Sequence, residues 1–322
     1  MKQKITYLLI ALMSIISIPT FAYDIEVANS DGKTIYYNFY YGNEDVELHV
    51  TYRGSLSTDY PDRYTGDLVI PSSVTYEGKT YPVTGIEQEA FHCCTGLTSV
   101  KLPEGLSIIY SSAFKSCTGL TAITIPASVI NIYASAFAYC YNLALIKVEE
   151  GNTTYDSRDN CNAIVWTAVN ELVIACKNTI IPNTVTSIGN GAFENCESIT
   201  SLTIPASVSS IKGWGLSGLD ALQDLYCLAE ALPKTTSSSF GYTPIGNVTL
   251  HVPAASVDAY KAAEPWSGFK SIVALTEEEM SIHTLELTTG DSHYYTLDGR
   301  KLQGRPTQKG VYIVNGTKVV VK

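Results

Sequence analysis

Eight cysteines and five histidines are the residues of this 322-residue chain best equipped for chemistry. Thiolates serve as nucleophiles or metal ligands, and imidazoles as general bases or ligands. His49, His92, His251, His283 and His293 share no motif with a serine or cysteine, and neither H-E-x-x-H nor G-x-S-x-G occurs. No G-x-x-x-x-G-K-[ST] phosphate cradle is present. His92-Cys93-Cys94 could begin a zinc site, but no second paired ligand cluster follows. The run Asp156-Ser-Arg-Asp159-Asn160 lacks the spaced ligands and terminal glutamate of a calcium loop, and reads as a turn. Glu277-Glu-Glu279 reads as a solvated linker. Glycoside hydrolysis needs two carboxylates facing across a cleft, a disposition the sequence leaves open. The expectation is a non-enzymatic chain with no cofactor and no metal.

The spacing of the cysteines points elsewhere. Ala-Phe recurs at Ala90, Ala113, Ala136 and Ala192, the first three 23 residues apart, and a cysteine stands four residues after each alanine: Cys94, Cys117, Cys140 and Cys196. Ahead of each lies V-x-x-I or a close variant, from Val83 and Ile86 to Val185 and Ile188. The phase continues at Val208, Ile211 and Gly215-Leu216. After each cysteine comes L-x-x-L-x-L-P: LTSVKLP at 97–103, LTAITIP at 120–126, LALIKVE at 143–149 and ITSLTIP at 199–205. Alternation such as Ile123 with Ile125 is the period of a strand buried on one face, and proline ends it by removing a donor. A 23-residue unit cannot bury its apolar side alone, so the units must stack. The four in-phase cysteines are then expected as a buried ladder of small side chains.

These blocks resemble leucine-rich repeats of the BspA-like kind, over roughly residues 67–226 with a looser continuation to about 275. The resemblance implies a right-handed, β-rich leucine-rich repeat solenoid. It also implies a secreted or surface protein of the Bacteroidetes that adheres to other proteins or cells. Fold alone never fixes function.

Between Ala136 and Ala192 the period is broken by 33 additional residues. Ala163-Ile-Val-Trp166 and Glu171-Leu-Val-Ile174 flank a four-residue loop, a hairpin pattern. That register sets Trp166 opposite Glu171 and Cys161 opposite Cys176, so a Cys161–Cys176 disulfide is one option and two free thiols the other.

Stacked strands would present Thr98, Lys101, Thr121, Thr124, Lys147, Thr200, Thr203 and Tyr226 as one polar strip. This is either a binding surface or the ordinary exposed side of a sheet. Tyr110, Tyr133 and Trp214 are candidate aromatic anchors, although stacking between turns explains the tyrosines as well. Partners would be host or bacterial surface proteins. A glycan is the alternative ligand, favoured if aromatics stand exposed at sugar-sized spacing, and a hydrolase is the third reading.

The ends read differently. Residues 1–22 combine Lys2 and Lys4, a short apolar run and Thr20-Phe21-Ala22, a secretory signal peptide pattern. No later segment is long and apolar enough to span a membrane. Residues 23–66, with Ile35-Tyr-Tyr-Asn-Phe-Tyr-Tyr41, are expected as an N-terminal β cap. The solenoid is placed at 67–275, with Val248 to Pro253 as one last repeat strand and Ser256 capping a short helix from Val257. Residues 276–322 are expected as a linker and a small all-β tail, with hairpin signals at Asp298-Gly299 and Asn315-Gly316. This tail is either a sorting segment, as in exported Bacteroidetes proteins it resembles, or a minor β-unit. Composition argues against nucleic-acid binding: 31 acidic residues face 21 basic ones, and only 16% of residues are charged. Phosphate binding rests on clustered Lys and Arg. Ser, Thr, Asn and 22 tyrosines must supply the polar surface instead.

Overall fold

The computed structural model describes residues 23–42, 45–54 and 63–277, and beyond them 279–280, 283, 294–296, 300, 302, 310–314 and 317–321. The signal-peptide pattern and the Asp298-Gly299 and Asn315-Gly316 dipeptides lie outside the described residues.

The chain is a β-solenoid. Each turn contributes a strand from L-x-x-L-x-L, a two-residue strand ending V-x-x-I, and a tight Ala-Phe corner. Strand Ala122–Ile125 pairs in parallel with Leu145–Val148, and Ile108–Ile109 with Asn131–Ile132. Leu102, Ile123, Ile125, Ile146 and Val148 all point into the core. Phe114 lies between Phe91 and Phe137, its ring 4.8 Å from one and 5.1 Å from the other and nearly parallel to both. Burying an aromatic column of this kind supplies the area that a single turn lacks.

The Ala-Phe corner is held by a second axial ladder. Phe91 N–H donates to Ala113 O and Cys93 N–H to Lys115 O, both at 2.8 Å, and Phe114 repeats the bond to Ala136. Aiming these donors along the axis requires left-handed backbone at two residues per corner, as at Ser112 and Ser116 (φ 57° and 61°). The repeated cysteine closes this corner. Cys117 Sγ donates to Phe91 O at 3.0 Å and Cys140 Sγ to Phe114 O at 3.1 Å. Each thiol thus satisfies a carbonyl of the preceding turn, a task valine or alanine could not perform. Cys94, Cys117 and Cys140 are buried, and Cys196 is partly exposed.

Strands Ile25–Ala28, Thr34–Tyr41 and Val46–Thr51 form an antiparallel set over the first turn, and Val46–Thr51 passes the sheet on in parallel to Lys79–Ile86. Tyr64 plugs the end of the phenylalanine column 4.9 Å from Phe91, its hydroxyl donating to Thr51 O.

At the insertion, strands Ile164–Trp166 and Glu171–Ile174 form the hairpin, with Trp166 opposite Glu171. Beyond Val165 the register slips: Ile164 pairs with Ile174, leaving Val173 as the extra residue of a bulge. Cys161 and Cys176 therefore fall out of register and are free thiols, contrary to the disulfide option. Cys161 Sγ donates to Ala163 O and Cys176 Sγ to Asn162 O, at 3.7 and 3.2 Å. The apolar core also divides here, one cluster running from Ile25 to Cys176 and a second from Cys161 to Phe269.

Two further expectations need correction. Thr249–Pro253 is not the last strand, because Ser271–Leu275 adds one more in parallel. Ser256 does not cap the helix Val257–Ala262; its hydroxyl donates instead to Glu230 O at 2.7 Å, tying the helix to the preceding turn. In the tail, Gly310–Val314 pairs antiparallel with both Tyr294–Thr296 and Thr317–Val321. No helix among the described residues is long and apolar enough to cross a membrane.

Candidate functional site

The parallel register carries the proposed polar strip. Ser99 stands beside Asp67 and Lys101 beside Val69; Leu145 stands beside Ala122 and Lys147 beside Thr124. In the second half the rows run Ser201, Asp224, Thr249, Ser271 and Thr203, Tyr226, His251, Val273. Thr98, Lys101, Thr121, Thr124, Lys147 and Thr200 are exposed, whereas Thr203 and Tyr226 are half-buried.

The strip is not one continuous sheet. Gly66–Val69 with Leu97–Lys101 forms one ladder, and Ala122–Ile125 with Leu145–Val148 forms another. A groove of about 750 Å³ lies across this division, lined by Ser99, Lys101, Thr124, Glu104 and Glu149 among others. Its hydrogen-bonding groups are charged or hydroxylic and its floor includes Val69, Val100 and Ile123. Glu104 has its carboxyl pushed above the ordinary range, first by a hydrogen bond to Glu149 and then by that residue's charge. These carboxyls touch each other, and so do not face across a gap of the ~5 Å or more that glycosidic cleavage requires. Paired with Ser99 on the neighbouring strand, Asp67 accepts from Ser99 Oγ (2.6 Å) and Thr98 Oγ1 (2.8 Å), bonds that hold its carboxyl below the usual range. Part of the polar strip is thus internally bonded, and Lys101 and Thr124 are left as its groove-lining members.

At the other end of the strip, residues beyond the solenoid lie on the candidate positions. The Tyr226 ring is stacked on His251 (4.3 Å between centroids), with His283 4.0 Å away. Thr203 Oγ1 lies 3.2 Å from His283 Nδ1, and His251 Nε2 lies 2.8 Å from Asp224.

The aromatic candidates sit on a different flank. Tyr110 and Tyr133 are stacked, 5.5 Å apart with rings 6° from parallel. The column continues toward the N-terminus through His49, 5.9 Å from Tyr110, to Tyr40, 4.3 Å beyond it. Burial pushes the His49 imidazole below its ordinary pKa. Gly85 makes room for that ring, because a Cβ there would sit 2.5 Å from it. Trp214 stacks on Tyr242 at 5.5 Å. Tyr133 and Trp214 remain 48% and 43% exposed, so stacking and exposure coexist.

Sequence reasoning missed Glu104 and Glu149. A signal was present: Glu149 replaces the proline that ends the other L-x-x-L-x-L blocks. It missed the His251–His283 cluster because the two residues are joined only by the return of the chain onto the strip. Among the described residues no group of three or more His, Cys, Asp or Glu could hold a metal ion.

The family model for the BspA type leucine rich repeat region matches residues 70–164 and 172–261 in six copies. No curated protein matches the chain. Similar solved structures include a leucine rich cell surface protein from Faecalibacterium prausnitzii (15% identity, 83% of this chain and 98% of that one, TM-score 0.32). Another is a leucine-rich repeat protein from Bacteroides ovatus (21% identity, 78% of this chain, TM-score 0.39), of which the chain spans 53%. A third is the leucine rich repeat protein of T. pallidum (20% identity, 74% of this chain and 97% of that one, TM-score 0.37).

Proposed function

The chain belongs to the BspA type leucine-rich repeat family, and from that premise we propose that it is an exported protein that adheres to another protein through its strand-lined face. The observation that supports this reading is the groove across the strip, where Lys101 and Thr124 are exposed beside the Glu104–Glu149 pair over an apolar floor. A mixed surface of this kind suits a polar protein segment with both charges, and solenoids use such extended faces for binding. Export rests on the signal-like first 22 residues, and the tail 276–322 is proposed to assist display at the outer surface.

The test is adhesion of the full exported chain to a panel of purified extracellular matrix proteins. Lys101→Glu and Thr124→Arg should each weaken capture about tenfold without lowering Tm, the effect of losing one well-placed interface residue. Equal capture by wild type and both variants would falsify the assignment of this face. Deleting residues 281–322 and fractionating cells tests display; unchanged surface exposure removes the sorting role.

A further inference from the structure

The insertion borders a cleft between two sheets of the solenoid. Strand Asn131–Ile132 is the last of its sheet, and the neighbouring strands Tyr155–Asp156 and Ile164–Trp166 belong to another. Ile132 N–H finds the Tyr155 hydroxyl at 3.1 Å in place of a backbone partner. Along this seam lies a cavity of about 290 Å³, whose walls include Tyr133, Trp166, Asn131, Asn190 and Glu171.

Three properties of the walls define what would fit. First, Tyr133 is covered by Tyr110 on one side only, and borders the cleft on the side of the next turn, while Trp166 is 41% exposed. Both offer aromatic surface to a ring-shaped ligand. Second, the one carboxylate in the lining is already neutralised. Glu171 Oε2 lies 2.6 Å from Lys212 Nζ and accepts from Ser187 Oγ at 3.3 Å. A charged ligand would find no unpaired counter-charge among the lining residues. Third, the side-chain amides of Asn131 and Asn190 make no hydrogen bond to any described residue, although both are exposed at the cleft. They are free to donate and accept.

Aromatic faces, side-chain amides and a neutral interior match a ligand with an apolar C–H face and a rim of hydroxyl groups. We propose that this cleft binds a neutral saccharide, with one pyranose ring against Tyr133 and Trp166 and its hydroxyls bonded to Asn131 and Asn190. The volume lies at the lower end, about 300 Å³, of small-ligand sites, which suits a single sugar unit of a longer chain. An aromatic side chain of a peptide would fill the same space but leave both amides without partners. A nucleotide would bring phosphate to a site with no free cation. This site is separate from the strand-lined groove, so each can fail without the other.

The experiment uses the full exported chain and neutral tetrasaccharides of glucose, mannose, xylose and N-acetylglucosamine. Calorimetry and tryptophan fluorescence serve as readouts. At least one probe should bind and shift the emission. Trp166→Ala and Tyr133→Ala should each weaken it about tenfold or more, as loss of an aromatic anchor does. Asn190→Ala, at an exposed position outside the hairpin, should weaken binding several-fold with an unchanged melting curve. Trp214→Ala should bind like wild type. The proposal is overturned by silence across all four probes, or by undiminished binding in well-folded Asn190→Ala and Trp166→Ala. Preferential capture of a tyrosine-rich peptide, or of an anionic oligosaccharide, at the same residues overturns it too. Loss of matrix-protein capture in Lys101→Glu with intact sugar binding would concern the other face alone.

Discussion

Glu171 reaches Lys212 at 2.6 Å by passing over Gly189, which stands between them on the intervening turn. The carboxylate side chain is 10% exposed and the ammonium 44%. A Cβ at position 189 would sit 2.8 Å from Glu171 Oε1 and 2.9 Å from Leu172 O. Sequence repetition hides this bridge, because Glu171 lies in the inserted hairpin, whereas Gly189 and Lys212 share one repeat position 23 residues apart.

Gly189→Ala should therefore destabilise the chain by about 1–3 kcal/mol, the usual cost of overpacking. Lys212→Met should cost a similar ~1–3 kcal/mol by leaving a buried acceptor without its strongest donor. Urea unfolding measures both. The double variant should cost less than the sum, since the two act on one carboxylate; strict additivity would remove the link.

Phe114 is the middle ring of the phenylalanine column, with no measurable exposure. Phe114→Ala should cost about 3–5 kcal/mol and lower Tm by several degrees. Phe114→Leu, which keeps most of the volume, should cost distinctly less. Equal losses would mean that the column is not packed as described.

Burial pushes the Cys94 and Cys161 thiols up to about 12 from 9.0. A native thiol with a raised pKa holds its proton after the unfolded chain has lost it. Stability from these groups is complete below about pH 9 and declines as pH rises toward 12. Tm measured at pH 7, 9 and 10.5 should fall across the upper interval, and less steeply in Cys94→Ala. Native alkylation at pH 8 should label Cys93, which is partly exposed, ahead of the buried thiols. Without reduction, Cys161 and Cys176 should be recovered after unfolding as separate alkylated peptides. A cross-linked Cys161–Cys176 peptide would contradict the bulged register.

His283 lies against Tyr226 and Thr203 on the strand-lined face. His283→Ala should loosen the segment after Leu275, so that glutamate-specific protease cuts at Glu277 or Glu279 several-fold faster. If the strand face binds protein along its whole length, the same change should also strengthen matrix-protein capture. Unaltered cleavage would show that the segment is held by other contacts.

How far the chain could be read in advance depended on whether an interaction repeats. The Ala-Phe corners, the alternation in Ala122–Ile125 and the buried cysteines recur in phase, so each copy corroborated the others. The hairpin was legible at Trp166 and Glu171 but not at Ile164, because a bulge changes register without changing the apolar pattern. Ser256 has the right residue type for a helix cap; a carbonyl on the preceding turn, which local sequence does not reveal, took its hydroxyl. Tyr133 and Trp166 were 33 positions apart in an interrupted repeat. Only the folded path of the insertion shows that they line one cleft.

The division of the apolar core at the hairpin has a mechanical consequence. In a stack where each turn touches only its neighbours, tension applied at the two ends is borne in series, and the least cohesive junction yields first. Where that junction is the seam between the Ile25–Cys176 and Cys161–Phe269 clusters, the hairpin takes the load first. A molecule tethered at one end and gripped at the other would part there into two halves that each keep their own interior. It would lengthen under load before losing either half, as a fastener with a built-in slip point does.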